Sequence, residues 1–159
     1  MAGRLGLAVA PLALALGCGY AFTAGKARMP PGAERVYVPP FANRTGDAEA
    51  GAILTGALRE ELERRGANGG PEAQARIEGV VQHSSFGQYT VDASSYNLIL
   101  DVQVKLVVRG RVVSEQLAHR QQAYLGEVDA LASEARRRVA LHQAAAEVAR
   151  EVVERFEKP

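Results

Sequence analysis

Three histidines, His83, His119 and His142, carry the only imidazoles in the 159-residue chain. None stands at a metal-ligand spacing from a second histidine or an acid, so no zinc-type site is expected. His142 falls between Val139 and Ala146 in a helical pattern, where it reads as a half-buried structural histidine. Ser84 and Ser85 follow His83 directly, but the glycines of a nucleophile elbow are missing. The carboxylates are spread along helical stretches and pair with arginines at helical spacing. The glycine-rich segment 66–75 has no Gly-Lys-Ser/Thr ending and no strand running directly into it, so it is not a phosphate cradle. These residues predict a protein that is not an enzyme, with no cofactor and no metal.

One reactive group remains, the thiol of Cys18, the only cysteine. It ends an apolar run, residues 5–16, that follows the basic Arg4. The run is shorter than the roughly 20 residues a transmembrane helix needs. It has the length of a signal-peptide core. Ala15-Leu16-Gly17-Cys18 resembles a bacterial lipobox, which implies acylation of the Cys18 sulfur and removal of residues 1–17. Acyl chains add about 0.8 kcal/mol per buried CH₂, so several of them hold a chain firmly on a membrane. Gly19 and Tyr20 follow the cysteine and no aspartate does, which in bacteria resembling the enteric model favours transport to the outer membrane.

Removing residues 1–17 from the 159 leaves 142, enough for one domain with its own core. The removed piece holds one basic residue and no acid, and the remaining charge is zero. That balance argues against nucleic acid as a partner. With Cys18 acylated no thiol is left for a disulfide, so packing alone must stabilise the domain. Residues 19–33, with Met29-Pro30-Pro31-Gly32, read as tether and turn.

Val36-Tyr37-Val38 predicts a short strand closed by Pro39-Pro40, and residues 41–46 a loop. Ile53, Leu54, Ala57, Leu58 and Leu62 recur at helical spacing over residues 47–65, with Asp47 as N-cap and Gly66 at the C-terminal glycine position. Ile77, Gly79, Val81 and His83 alternate with Arg76, Glu78, Val80 and Gln82 in a second strand. The strictest alternation runs over residues 96–108. Leu98, Leu100, Val102, Val104, Leu106 and Val108 face one way, while Ile99, Asp101, Gln103, Lys105 and Val107 face the other. Arg109-Gly110-Arg111 predicts a tight turn into a returning strand, residues 111–124. Leu131, Ala135, Val139, Ala146, Ala149, Val153 and Phe156 predict a long helix over residues 129–156. The expected fold is an α+β two-layer sandwich, a four-stranded mixed sheet with two helices on one face in the order β-α-β-β-β-α. The first two strands should lie parallel through a right-handed crossover.

Cys18-Gly19-Tyr20, Pro30-Pro31-Gly32 and the segment from Val36 through Pro39-Pro40-Phe41 to Asn43-Arg44-Thr45-Gly46 together resemble the LPS-assembly lipoprotein family LptE. The resemblance covers the chain after the signal in element order and length. It divides the chain into a cleaved signal (1–17), a lipidated N-terminus and tether (18–33) and a single LptE-like domain (34–159). It implies a non-catalytic outer-membrane lipoprotein, lipid-anchored on the periplasmic side, that plugs the LptD β-barrel and assists insertion of lipopolysaccharide. A neutral domain with polar outer surfaces suits a barrel lumen. Guanidinium groups suit the phosphates of the lipid, and Lys105, Arg109 and Arg111 are the candidate contacts. The strand, Pro-Phe-Asn-Thr loop and helix also occur in LpoB-like activators of penicillin-binding proteins and in CsgG-like secretion lipoproteins. A lipid-anchored periplasmic ligand-binding or hydrolytic domain is the further alternative.

Overall fold

The computed structural model describes residues 28–88, 95–126 and 129–157. Cys18 lies outside them, as do Lys158 and Pro159. The elements run β1 (Val36–Tyr37), β2 (Ala42–Asn43), α1 (Ala50–Arg64), β3 (Ala75–Gln88), β4 (Ser95–Val108), β5 (Arg111–Leu125) and α2 (Ala130–Glu157). The fold is α+β, as expected, with five strands where four were predicted. The extra strand is β2, in the segment expected to be a loop. β1 and β2 both run parallel to the same side of β3, Val36 opposite Ala75 and Ala42 opposite Val80. Pro39 and Pro40 split one edge into two short strands because neither has an N–H to donate. Side chains complete the interrupted ladder: Arg59 Nε and Nη2 donate to the Val38 carbonyl at 3.0 and 2.6 Å, and the Phe41 N–H donates to Thr55 Oγ1 at 2.9 Å.

β3, β4 and β5 form an antiparallel meander. Leu98, Leu100, Val102, Val104 and Leu106 of β4 are buried against the helices, and the intervening residues are half-buried on the open face except for buried Val107. Both helices lie on that one face, α2 over β5 and β4 and α1 over β3 and β2. β3 departs from simple alternation. A bulge between Val81 and His83 gives it one extra residue, so Ser84 and not His83 returns to the helix side opposite Leu100. Over the first half of β3 the Phe41 ring occupies the space where a Cβ on Gly79 would lie.

α1 begins three residues later than expected, and Glu49, not Asp47, holds the N-cap position without a side-chain cap. Asp47 braces the preceding turn instead: its Oδ1 accepts from the Glu49 N–H at 3.2 Å and its carbonyl from the Ala50 N–H at 3.3 Å. The other end follows expectation. Gly66 takes φ 69°, Ala67 N donates to Leu62 O and Gly66 N to Glu63 O, the paired bonds of a Schellman cap.

α2 buries the later part of the predicted stripe, Ala149, Val153 and Phe156, but not the earlier part. Ala140, Leu141, Ala144, Ala145, Val148, Ala149, Val152, Val153 and Phe156 face the core, while Leu131, Ala135, Val139 and Ala146 are exposed. The two helices run side by side, with Glu49 beside Arg138 at one end and Arg65 beside Glu157 at the other. α2 therefore starts about two turns before α1, and its first apolar residues have no helix to pack on. At the far end Glu61, 2% exposed, accepts from Arg64 and from Arg65 Nε at 2.5 Å. Arg65 continues to Glu157 at 2.7 Å and Glu154 at 3.5 Å, so its charge ties the helix ends together.

Candidate functional site

The three candidate cations lie on the β4–β5 hairpin but have different surroundings. Lys105 stands on the open face, its Nζ 3.3 Å from Glu115 Oε1 on the neighbouring strand. Arg109 and Gly110 form the two-residue turn, with φ of 50° and 79°, both in the left-handed region this turn requires. The Arg109 N–H donates to the Gln74 carbonyl at 2.8 Å, and its Nε to Gln74 Oε1 at 3.0 Å. Arg111, opposite Val108, is exposed, and its side chain makes no ion pair or hydrogen bond among the described residues. The start of the described chain meets the same end. Gly32 packs on Val108, and the Glu34 carboxylate accepts from the Gly32 N–H at 3.1 Å. That bond, with the Glu34 N–H and the nearby Arg109 charge, holds the Glu34 carboxyl below its ordinary range. The hairpin end thus carries one unengaged guanidinium beside one that a glutamine orients.

The histidines lie apart from this end. His83 is exposed past the bulge, its Nε2 3.0 Å from Ser85 Oγ. His119 Nδ1 lies 2.6 Å from Asp101 Oδ1 across the open face. His142 is exposed on α2, not half-buried, because the buried stripe passes through Leu141 and Ala144. Among the described residues no three histidine, cysteine or acidic side chains converge as metal ligands.

A second cluster was not singled out in the sequence, although its motif was. Asn43 Oδ1 accepts from the Thr45 N–H (3.0 Å) and Oγ1 (2.8 Å), and Asn43 Nδ2 donates to the Asp47 carbonyl at 2.6 Å. The Arg44 N–H donates to Val81 O at 3.0 Å, joining this self-braced loop to β3. Asp47 is then aimed inward, where its Oδ2 meets Arg137 Nη1 at 3.2 Å. Arg137 also grips Glu134 and lies 4.5 Å over the Phe86 ring. The Glu134 hydrogen bond is the main reason the Arg137 pKa is raised, and the same bond lowers that of Glu134. The Asn-Arg-Thr-Gly-Asp segment thus joins three elements. Its sequence signal was an amide, a hydroxyl and a carboxylate at alternate positions, suited to bonding their own backbone.

A family model described as "LptE: Lipopolysaccharide-assembly" matches residues 33–156. No curated protein matches the sequence significantly. Among solved structures, a protein from Caulobacter crescentus is 20% identical with TM-score 0.62, covering 79% of this chain and 90% of its own. A minor lipoprotein from Acinetobacter baumannii is 10% identical with TM-score 0.55, covering 79% and 91%. The rare lipoprotein B from Shewanella oneidensis is 13% identical with TM-score 0.53, covering 76% and 92%. At these identities the structures share the fold.

Proposed function

The chain belongs to the LptE lipopolysaccharide-assembly family, and from that membership we propose that it is an outer-membrane lipoprotein that plugs and helps assemble an LptD-type β-barrel. The carrying observation is the extent of the family match, which runs from the turn before β1 to the last turn of α2. In this reading acylated Cys18 anchors the domain on the periplasmic side, and the barrel inserts lipopolysaccharide into the outer leaflet. The neutral charge balance and the polar open face support a place in a polar lumen. Arg111 and Arg109 meet phosphates of the lipid at the hairpin turn, and Lys105 joins them by releasing Glu115. Guanidinium forks bind phosphate in two-point fashion, which suits this contact.

Co-purification is the test. The chain is tagged after Pro159, extracted from outer membranes in mild detergent, and its stoichiometric partner identified by mass. A large β-barrel is the expected result, and a peptidoglycan synthase or no partner overturns the reading. In the same preparation Arg109→Glu with Arg111→Glu should lower lipopolysaccharide binding at least fivefold. Unchanged binding would remove these residues from the site without touching the barrel partnership.

A further inference from the structure

The sequence holds three asparagines, Asn43, Asn68 and Asn97, and only Asn68 precedes a glycine. In such a pair the glycine nitrogen readily attacks the side-chain amide before it, because no Cβ shields that nitrogen and the backbone turns freely. Asn68-Gly69 lies in the connection from α1 to β3. Both residues are needed there for structural reasons. A Cβ at position 69 would lie 3.1 Å from the Val36 nitrogen and 3.1 Å from the Ala73 Cβ, so a glycine is what lets β1 come this close. Asn68 Nδ2 donates to Glu63 Oε2 at 3.0 Å, and its carbonyl accepts from Arg35 Nη1 at 2.8 Å.

The same contacts keep the pair unreactive. Asn68 bridges Val36 in parallel fashion. The Val36 N–H donates to the Ala67 carbonyl at 2.8 Å, and the Gly69 N–H donates to the Val36 carbonyl at 2.8 Å, so the two bonds flank Asn68. The nitrogen that would attack is bonded to β1, and the amide it would attack is turned to Glu63. Val36 is fully buried, and on its other side it pairs with Ala75 of β3. β1 must therefore lift before the reaction can start, a local opening that needs no global unfolding.

We propose that Asn68 is a deamidation site gated by β1, intact while Val36 is seated and converted once that strand lifts. In the reaction the Gly69 nitrogen gives up its proton and bonds to Asn68 Cγ, the Cγ–Nδ2 bond breaks, and ammonia leaves with that proton. Water then opens the cyclic imide at one of its two carbonyls, leaving aspartate or isoaspartate. Either product puts a carboxylate in place of the donor that met Glu63. Isoaspartate also adds one carbon to the main chain between the Ala67 carbonyl and the Gly69 nitrogen. The two bonds to Val36 then no longer match its N–H and C=O, and β1 does not reseat. The mark is one-way: it records an opening of β1 and keeps the strand open. The inference is independent of the barrel partnership proposed above.

The first test is mass spectrometry of the full chain after incubation in mildly alkaline buffer, folded and in guanidinium chloride, with Asn43 and Asn97 as internal controls. Conversion at Asn68 should be at least tenfold slower in the folded chain, and in the unfolded chain faster than at either control. Equal rates folded and unfolded, or no conversion in the unfolded chain, overturn the inference. The second test reads the consequence. The chain aged in guanidinium chloride is refolded, the isoaspartate form is isolated, and hydrogen exchange is followed at the Val36 amide. Exchange there should be at least tenfold faster than in the unaged chain while β4 stays protected. Asn68→Asp, which has the carboxylate without the longer main chain, should stay within threefold of the unaged chain. Unchanged exchange at Val36, loss of protection throughout β4, or equal loosening in Asn68→Asp overturns the gating of β1 by this residue.

Discussion

The Phe41 ring is fixed from three sides: its own N–H is bonded to Thr55 Oγ1, Thr55 is bonded back to the Gly51 carbonyl, and the ring covers Gly79. A methyl at position 79 collides with a rigid aromatic ring, not with the tip of a movable side chain. Gly79→Ala should therefore cost about 1–3 kcal/mol of stability, the range for forcing extra volume into a packed core. Urea unfolding reads this directly, and an unshifted midpoint would mean the ring does not sit where it is described. The sequence pointed to Val38-Pro39-Pro40-Phe41 as a specific segment, but not to the reason for it. That reason lies in Gly79, Thr55 and Arg59, each separated from the motif by an intervening element. The candidate site was legible to a similar depth. Arg109-Gly110-Arg111 was readable as a turn from its glycine, whereas the Lys105–Glu115 pair depends on strand register, which a bulge in β5 near Val113 shifts by one.

Among the elements, α2 shows best what periodicity leaves open. Leu131, Ala135 and Val139 have faultless helical spacing, yet they are exposed because α1 starts too late to meet them. Four of the nine residues in the buried stripe are alanine, a weak signal by hydrophobicity but one that allows close helix packing. The bulge in β3 and the strand hidden behind two prolines were missed for a related reason: both are decided by what lies alongside. The start of α2 is held instead by Arg137, between Glu134, Asp47 and Phe86. Glu134 has a depressed pKa, because Arg137 bonds its charged form. Its contribution is complete above the unfolded carboxylate value of about 4.3 and is lost as pH falls through the lower folded value. Hydrogen exchange at residues 131–138 should therefore speed up below about pH 4, beyond the intrinsic trend, and Arg137→Met should abolish that acid-induced part. Exchange that stays flat to pH 3 would remove Arg137 as the link.

At the scale of the whole molecule, among the described residues no helix is long and apolar enough to cross a membrane. Under the proposed function the attachment depends on Cys18 alone. Cys18→Ser should move the protein from the membrane to the soluble fraction, with the urea midpoint confirming that the variant is folded. Retention in the membrane after salt and carbonate washing would show that another surface holds it. Along β1 and β2 the consecutive prolines, with Arg59 and Thr55 already occupying the neighbouring backbone groups, leave no continuous row of donors and acceptors, and along β5 the Leu117 and Ala123 carbonyls already accept from Arg155 and Gln122. A sheet whose β1–β2 rim is interrupted in this way cannot stack rim to rim into a fibre, because every head-to-tail addition needs both rims. The two prolines that look like a defect in β1 thereby act as a terminator of edge-to-edge growth.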